Sequence, residues 1–437
     1  MAGTPFHFTL ASGLHTDRLQ TENNLEHKNK LQAFLDENVP PTIPAFAPGD
    51  APTRKEDFLS DVELGMKEAS MAVRLTPYVL SIINWADPVN DPIRRQFIPL
   101  ASTMVDDHRT ARLDSLGETD DSPVKNLVHR YPDKVLFLGE CNCYAQTKYV
   151  TNVASVTSAC PVYCRFCTRS YAIGANTEAV QKASIRSGKR TLEAMFQYIE
   201  DTPAVQDVVV SGGDSYYLTP DLLKQVGERL LSMPNVKRIR IATKGLAVCP
   251  MRMVDPNDSW ADALIGLSDL GREMGKEVAL HTHFNHAKEV TWISELAARK
   301  LFRAGVMMRN QTVLLRGVND TVPVMSALLR AIADLNVHPY YVYQGDIVPG
   351  LDDLRTPLST IISLEKHIRG TIAGFMTPTF VVDLPGGGGK RPVTSYESYD
   401  EDSGVSRWKA PGVAGDQIFE YYDPDRKGRS RKARGEV

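Results

Sequence analysis

Residues 208–231 read VVVSGGDSYYLTPDLLKQVGERLL, a succession of a short apolar run, a glycine turn and an amphipathic segment. The run Val208–Ser211 has the β-branched composition of a buried strand. Thr219-Pro220-Asp221 then supplies a helix N-cap, a first-turn proline and an acid that the helix dipole favours. The apolar positions that follow share one helical face: Leu222, Leu223, Val226 and Leu230. The segment therefore predicts one βα unit.

The same alternation recurs over most of the chain. Strands are predicted at Tyr149–Thr157, Val208–Ser211, Ile239–Thr243, Val278–Phe284, Val306–Leu315, Tyr340–Gln344 and Phe380–Asp383. Further helices are predicted at Ser259–Met274, Thr291–Ala304, Val322–Leu335 and Ser359–Ile372. Consecutive βα units require parallel strands joined by right-handed crossovers, so the sequence predicts an α/β protein with a full or partial (β/α) barrel. A doubly wound open sheet is the structural alternative.

Composition narrows the class of protein. The chain has 437 residues, 42% hydrophobic and 24% charged, with a net charge of -3. These values are ordinary for a soluble globular protein and give no electrostatic reason to expect nucleic acid as a partner. No apolar run approaches the roughly 18 to 20 residues of a membrane span, and the first residues lack a signal-peptide layout. We expect a cytoplasmic protein with a small-molecule partner and no membrane partner.

Changes in composition predict four parts. Prolines punctuate the first of them, the region from Phe58 to Thr110 has a mostly apolar helical surface, and the last part ends in the basic tail DRKGRSRKARGEV. The predicted parts are an N-terminal arm (1–60), a helical subdomain (61–134), the barrel core (135–393) and a C-terminal extension with the basic tail (394–437).

Polar residues follow the predicted strands at the points where these strands end. They are Cys160–Cys167, Ser211–Asp214, Thr243-Lys244, His281–His286, Gln311, Gln344–Asp346 and Asp383. Barrels of this kind carry their reactive groups at the C-terminal ends of the strands. We therefore expect these side chains to share one site.

Residues 160–167 read CPVYCRFC and contain half of the chain's six cysteines. Thiolates are soft ligands that suit zinc or an iron–sulfur cluster. No fourth Cys or His follows Cys167 at the short spacing of a closed structural zinc site. The spacing therefore favours a cluster with one open iron, and a zinc knuckle completed by distant residues is the alternative. Cys249, which stands apart, is predicted to be buried.

Longer motifs make the chain resemble a known family. Cys160-x3-Cys164-x2-Cys167 is the radical S-adenosylmethionine (radical SAM) signature. Six further segments resemble the lysine 2,3-aminomutase family: LTPYVLSIINWADPVNDPIRRQFIP, DSPVKNLVHRYPDKVL, THFNHAKEVT, NQTVLLRGVND, PYYVYQGD and PTFVVDLPGGGGKRPV. The likeness covers roughly Leu75 to Val393. It implies a radical SAM partial (β/α)6-type barrel with an N-terminal helical extension and a C-terminal extension.

The resemblance implies a 4Fe-4S cluster that binds S-adenosyl-L-methionine. Cys160, Cys164 and Cys167 are implied as the cluster ligands. The residues implied as S-adenosylmethionine contacts are Ser211, Gly212, Gly213, Asp214, His283 and Gln311. An electron donor of the flavodoxin or ferredoxin type and a possible homo-oligomer are implied as partners.

The resemblance also implies pyridoxal 5'-phosphate. Lys390 is implied as the lysine that forms an imine with this cofactor, and the four preceding glycines as the hinge that lets it swing away. Taken alone, the glycine run suggests a phosphate loop, but its spacing does not match that motif. Arg130, Tyr131 and Lys134 match residues that hold the cofactor phosphate. The family's usual arginine at the last position is lysine here, which keeps the charge but loses the bidentate fork.

The substrate residues are implied to be Arg169, Asp346 and Asp383. Arg169 matches the residue that pairs with the substrate carboxylate, and the two acids match those that bind the ε-ammonium of lysine. The implied reaction converts L-lysine to β-lysine by 1,2-amino migration. Alternatives are the same chemistry on arginine, ornithine or a modified lysine, or a deaminating variant. A more remote alternative is a non-catalytic iron–sulfur or zinc protein.

Three features depart from the family pattern. Gly139–Ala159 is an insertion containing Cys141 and Cys143, which we interpret as a loop, with metal binding or a redox pair as alternatives. Phe166 and Gly345 differ from the usual residues at their positions. No cysteine follows Cys249, so the C-terminal zinc site of some family members cannot form, and assembly that depends on it is in question.

Overall fold

The computed structural model describes residues 28–45, 51–138, 160–183 and 188–425. The helices in these ranges are α1 (Lys28–Asn38), α2 (Lys55–Glu68), α3 (Pro77–Ile82), α4 (Pro92–Phe97), α5 (Lys189–Glu200), α6 (Pro220–Ser232), α7 (Gly245–Val248), α8 (Met251–Val254), α9 (Trp260–Glu273), α10 (Trp292–Arg303), α11 (Val322–Asp334), α12 (Leu358–Ile368) and α13 (Pro411–Ala414). None of them is long and apolar enough to cross a membrane.

The strands of the described ranges are β1 (Thr42–Ile43), β2 (Thr53–Arg54), β3 (Leu127–Tyr131), β4 (Lys134–Leu138), β5 (Asp207–Ser211), β6 (Arg238–Ala242), β7 (Glu277–Thr282), β8 (Met307–Val313), β9 (His338–Tyr343), β10 (Thr379–Leu384), β11 (Gly389–Pro392), β12 (Ser398–Asp400), β13 (Val405–Ala410) and β14 (Gly415–Tyr422).

Within the described residues, β3 to β11 form one sheet in which spatial order follows chain order. Strands β4 to β10 are parallel neighbours. An antiparallel strand covers each edge, β3 beside β4 and β11 beside β10. The order never reverses, as it would at the switch point of a doubly wound sheet. The predicted partial barrel is therefore confirmed, and the doubly wound alternative is wrong.

The predicted strands agree with the structure apart from the first. Tyr149–Thr157 lies outside the described residues, as does the whole of the predicted insertion Gly139–Ala159 with Cys141 and Cys143. The first parallel strand that the structure describes is β4, in the segment KVLFL, which the sequence analysis did not assign as a strand. The predicted helix Ser359–Ile372 ends earlier, at Ile368, because the chain turns through Gly370 with φ of 90°.

The two ends of the sheet meet through side chains rather than through a ladder. The Tyr131 hydroxyl on β3 accepts a hydrogen bond of 2.9 Å from the backbone N–H of Lys390 on β11. Next to it, the Arg130 guanidinium lies 3.9 Å from Asp383 on β10. The sheet is thus a nearly closed barrel with a lateral seam at these contacts.

The C-terminal strands β12 to β14 form a separate antiparallel sheet that packs against the barrel core through the fully buried Trp408. The Tyr421 hydroxyl on β14 donates a hydrogen bond of 2.7 Å to the carbonyl of Gly345. Arg355, also fully buried, contacts both the Tyr421 hydroxyl and Asp352. This sheet therefore braces the loop that follows β9.

We expect Gly389, which lies at the seam, to be important for the stability of the protein. Gly389 has a φ of 72°, and a Cβ there would lie 2.7 Å from the Tyr131 hydroxyl. Gly389→Ala is expected to lower the free energy of unfolding by about 1 to 3 kcal/mol, because it adds both backbone strain and a steric clash.

The matched control for Gly389→Ala is Gly266→Ala, at an open position within α9. The control is expected to raise the free energy of unfolding by about 0.5 to 1 kcal/mol. Urea denaturation followed by circular dichroism measures both variants. Equal stability of Gly389→Ala and the unchanged chain would contradict the steric account of the seam.

Candidate active site

One cavity of about 380 Å³ runs through the barrel interior and its C-terminal end. All the residues to which the sequence analysis assigned a cofactor or substrate contact line it: Arg130, Tyr131, Lys134, Cys160, Cys164, Cys167, Arg169, Ser211, Gly212, Gly213, Asp214, His283, Gln311, Asp346, Asp383 and Lys390. Asn285 and His286, which belong to the wider set of strand-end residues, do not line it. Their presence in one cavity is a finding, while their individual roles stay predictions.

Arg165 anchors the cysteine segment to two distant parts of the chain. The Arg165 guanidinium forms a buried ion pair of 2.8 Å with Asp353, and its backbone N–H bonds to the carbonyl of Gln96. Burial raises the pKa of Cys164 to about 12, against the opposing charge of Lys244. A metal must therefore displace protons from buried thiols when it binds.

The donor set suits a soft metal centre, since three thiols face one cavity. In the described ranges, no three His, Cys, Asp or Glu side chains converge as the ligands of one metal ion. A four-iron cluster binds each cysteine through a different iron, so its ligands need not converge in this way. The residues present fit such a cluster by their chemistry.

The turn after β5 positions Asp214 through the backbone. Gly212 has a φ of 137°, which suits glycine. The two carboxylate oxygens of Asp214 accept hydrogen bonds from the N–H groups of Tyr216, at 2.8 Å, and Lys244, at 2.9 Å. In the structure this carboxylate therefore holds the turn together, and its contact with a ligand ammonium stays a prediction.

A buried polar network supports the end of β7. Lys244 donates hydrogen bonds to the carbonyl of His283, at 2.7 Å, and to Glu289, at 3.0 Å. Burial lowers the pKa of His283 to about 3, so its imidazole is neutral, and its Nε2 lies 3.0 Å from the side-chain oxygen of Asn285. Lys244 is a cavity-lining cation to which the sequence analysis gave no role.

The part of the cavity wall formed by β3 and β4 holds cations suited to bind a phosphate. Arg130 is fixed by Asp121, at 2.6 Å, and by the carbonyl of Leu116, also at 2.6 Å. The ammonium of Lys134 lies 3.6 Å from the centre of the Tyr131 ring. Burial, and secondarily the charge of Lys390, lowers the pKa of Lys134 to about 7. A phosphate would place negative charge beside the buried ammonium of Lys134 and so stabilise its charged form. The residues therefore fit a phosphorylated cofactor.

Lys390 forms a short ion pair in the cavity wall. Its Nζ lies 2.6 Å from Asp383, which is its direct partner in the β10–β11 ladder. Burial alone would lower the pKa of Lys390, but the charge of Asp383 raises it well above the ordinary value. Lys390 is therefore held as an ammonium.

The glycines before Lys390 build a tight turn. Positive φ angles of 70°, 91° and 72° occur at Gly386, Gly387 and Gly389. A Cβ at Gly388 would lie 2.7 Å from the Cβ of Leu384. In the structure these residues thus serve hairpin geometry and close packing, and the predicted swinging movement remains untested.

Asp346 is a buried carboxylate without a matching cation among the described residues. The Thr168 hydroxyl donates a hydrogen bond of 2.5 Å to it. Burial, followed by the nearby charge of Asp383, raises the pKa of Asp346 to about 7. A ligand ammonium would supply the missing charge and keep this carboxylate ionised.

Arg169 has a partner that the sequence analysis missed. Glu118, 5% exposed, accepts two hydrogen bonds from the Nε and Nη2 atoms of Arg169, at 2.8 and 2.7 Å. The Tyr171 hydroxyl donates a third bond to the same acid, at 3.2 Å. Glu118 thereby fixes the plane of the guanidinium and leaves Nη1 for another carboxylate.

We expect phosphate binding to weaken as the pH rises from 7 to 9. Lys134, with a pKa of about 7 in the ligand-free protein, loses its proton over this range, while a phosphate ester remains a dianion. The dissociation constant of 4-deoxypyridoxine 5'-phosphate, which lacks the aldehyde, is expected to rise about tenfold or more. Isothermal titration calorimetry measures it.

The control for this pH dependence is Lys134→Arg, because arginine stays charged throughout. Its dissociation constant is expected to change little over the same interval. An equally steep pH profile in Lys134→Arg would show that Lys134 does not contact the phosphate.

Comparisons with known proteins give the chain its relatives. No family model matches it. The L-lysine 2,3-aminomutase of Acetoanaerobium sticklandii is 38% identical over 335 residues, which cover 76% of this chain and 72% of that protein. The enzyme of the same name from Clostridium subterminale is 39% identical over 327 residues, 74% of this chain and 69% of its own.

A relative with a different printed substrate lies somewhat further away. The glutamate 2,3-aminomutase of Clostridioides difficile is 31% identical over 342 residues, 78% of this chain and 71% of that protein. The relatives thus share 2,3-aminomutase activity and differ in the amino acid on which they act. The chain belongs to the lysine 2,3-aminomutase family and is an isomerase of the aminomutase type.

Proposed function

We propose that this protein converts L-lysine to β-lysine by moving the amino group from Cα to Cβ. The observation that carries the choice of lysine is Asp346, a buried carboxylate that forms no ion pair within the described residues and lies in one cavity with Arg169 and Lys390. The names of the more similar relatives support the same substrate. Because one relative is a glutamate 2,3-aminomutase, family membership alone does not assign the substrate, and the residues of this site must be used to assign it.

We infer that a 4Fe-4S cluster on Cys160, Cys164 and Cys167 binds S-adenosylmethionine and that pyridoxal phosphate attaches at Lys390. Together these groups supply the radical that removes a hydrogen from Cβ and the activation that lets nitrogen migrate. Reduction of the cluster requires an electron donor, for which a flavodoxin or ferredoxin is our proposal. The protein's own contribution is to bind, orient and enclose the substrate.

The substrate carboxylate is proposed to bind Arg169. Glu118 already holds the Nε and Nη2 side of the guanidinium, so the Nη1 side presents a fixed donor. Because Glu118 compensates part of the charge, Arg169 would recognise the carboxylate mainly by geometry rather than by a strong unpaired charge. This arrangement serves every amino acid alike and does not select the side chain.

The side-chain end of the cavity is proposed to provide selection. Two carboxylates, Asp346 and Asp383, interact there closely enough to raise the pKa of Asp346. An incoming ammonium is attracted by both acids, whereas the carboxylate of a glutamate side chain would be repelled. The same two acids would therefore favour lysine and disfavour glutamate.

Enclosure of the reacting atoms is proposed as the third task of the protein. Aromatic side chains form part of the cavity wall: Tyr131, Phe166, Tyr340, Tyr341 and Tyr343. Tyr343, which the sequence analysis did not single out, places its ring centre 5.5 Å from Nζ of Lys390. Such walls limit the access of water and oxygen to reactive groups.

The function is tested by anaerobic incubation of the cluster-reconstituted protein with pyridoxal phosphate, S-adenosylmethionine, a reductant and single amino acids. Lysine is expected to give an isomer of unchanged mass with its amino group at Cβ, identified by mass spectrometry and NMR. Turnover of arginine, ornithine or glutamate with lysine inert would overturn the substrate assignment. Loss of ammonia from lysine would indicate a deaminating enzyme instead.

Replacing Asp346 tests side-chain selection. Asp346→Asn is expected to lower kcat/KM for lysine by roughly 30- to 1,000-fold, equivalent to about 2 to 4 kcal/mol, because a desolvated charge partner is lost. The control is Asp262→Asn, at an exposed acid that pairs with Lys300 on the barrel surface. Unchanged kinetics in Asp346→Asn would remove this residue from the substrate site.

A further inference from the structure

We propose that the free ammonium of Lys390 occupies the place of the substrate's side-chain cation on Asp383, so that the two exclude each other there. The chain's own lysine is then an internal competitor of a cationic substrate. This inference rests on the proposed function, because it takes Asp383 as one of the two acids that bind that cation. It adds that Asp383 can bind that cation only when the Lys390 ammonium has left it.

Lys390 contacts Asp383 directly. Nζ of Lys390 lies 2.6 Å from Oδ2 of Asp383, and the Asp383 side chain is only 6% exposed. A short, shielded contact between full charges is among the stronger interactions of a protein. An incoming ammonium must displace this partner or share the acid with it.

The surroundings of Asp383 disfavour its sharing between Lys390 and a substrate ammonium. Oδ1 of Asp383 accepts no hydrogen bond in the described structure, but it faces the Arg130 guanidinium at 3.9 Å. Both oxygens of this carboxylate therefore already face positive charge. A substrate ammonium placed at Oδ1 would meet Lys390 and Arg130 around a single negative charge, so sharing is electrostatically unfavourable.

The backbone of Lys390 is fixed in position beside Asp383. Lys390 and Asp383 are direct partners in the β10–β11 ladder, and the Tyr131 hydroxyl holds the Lys390 backbone N–H. A tethered ligand of this kind acts at high effective concentration. Free lysine in solution is therefore at a disadvantage against Lys390.

The consequence is an order of events in this cavity. If the Lys390 ammonium condensed with the aldehyde of pyridoxal phosphate, one proton and one water would be released, and Asp383 would lose this ammonium as its partner. Asp383 becomes available to a cationic side chain only after that ammonium has been consumed or has moved. Asp346, which has no such internal partner among the described residues, is available throughout.

The test measures ligand binding without turnover. Isothermal titration calorimetry is performed on the full chain free of pyridoxal phosphate and S-adenosylmethionine, with L-lysine and L-norleucine as ligands. Norleucine matches the carbon skeleton of lysine and lacks the side-chain ammonium. The variants are Lys390→Met and Lys390→Gln, which remove the internal cation, and Lys390→Arg, which retains one.

Both charge-removing variants are expected to bind L-lysine about tenfold or more tightly than the unchanged chain. The affinity for norleucine is expected to stay within about twofold, and Lys390→Arg is expected to resemble the unchanged chain. Adding Asp383→Asn to Lys390→Met is expected to abolish the gain, which would locate the competition at Asp383. Thermal unfolding identifies any variant that does not fold, and two charge-removing variants are available for that reason.

The outcomes separate this inference from the proposed function. Equal lysine affinity in the unchanged chain and in both charge-removing variants would overturn the inference and leave lysine as substrate. A gain of the same size for lysine and norleucine would also overturn it, because the effect would then be steric. Absence of lysine binding in every variant would overturn both the inference and the assignment of lysine.

Discussion

The hydrogen bond from the Lys390 backbone to the Tyr131 hydroxyl determines the shape of the cavity, because it joins the two ends of the barrel sheet. The strands that meet there also carry residues predicted to bind the cofactor and the substrate. Arg130 and Tyr131 lie on β3, Asp383 on β10 and Lys390 on β11. The contact that nearly closes the barrel therefore also sets the distance between the predicted phosphate residues and the predicted cofactor lysine. Fold and site share one constraint at this point.

The described charged groups of the cavity wall include several matched pairs and two groups that lack a matching charge. Arg169 is matched by Glu118, Lys390 by Asp383 and Lys244 by Glu289. Lys134 and Asp346 lack such partners among the described residues, and burial moves both pKa values to about 7, from above and from below. Lys134 thus favours an anionic ligand, and Asp346 favours a cationic one. A phosphorylated cofactor and a cationic side chain would meet these preferences.

Local patterns predicted much of this protein, because strand composition, helix caps and cysteine spacing depend on neighbouring residues. Val208–Ser211 and the helix after Thr219 were found in this way, and the cysteine motif led to the family. Pairings between distant segments could not be predicted. Glu118 lies 51 residues before Arg169, and no local signal links them. The spatial match of Lys390 with Asp383 depends on hairpin register, which a run of four glycines does not reveal.

The lateral seam has a mechanical consequence for the barrel. Parallel neighbours such as β5 and β6 are joined by a ladder whose hydrogen bonds must break together. The contacts described across the seam include one hydrogen bond to a side chain, one longer charged contact and the Lys390 ammonium 5.9 Å from the centre of the Tyr131 ring, but no ladder. The wall of the barrel is therefore weakest along this line. If the barrel opens to admit a bulky molecule, opening along the seam requires the least energy. Lys390 would then move together with the edge strand β11.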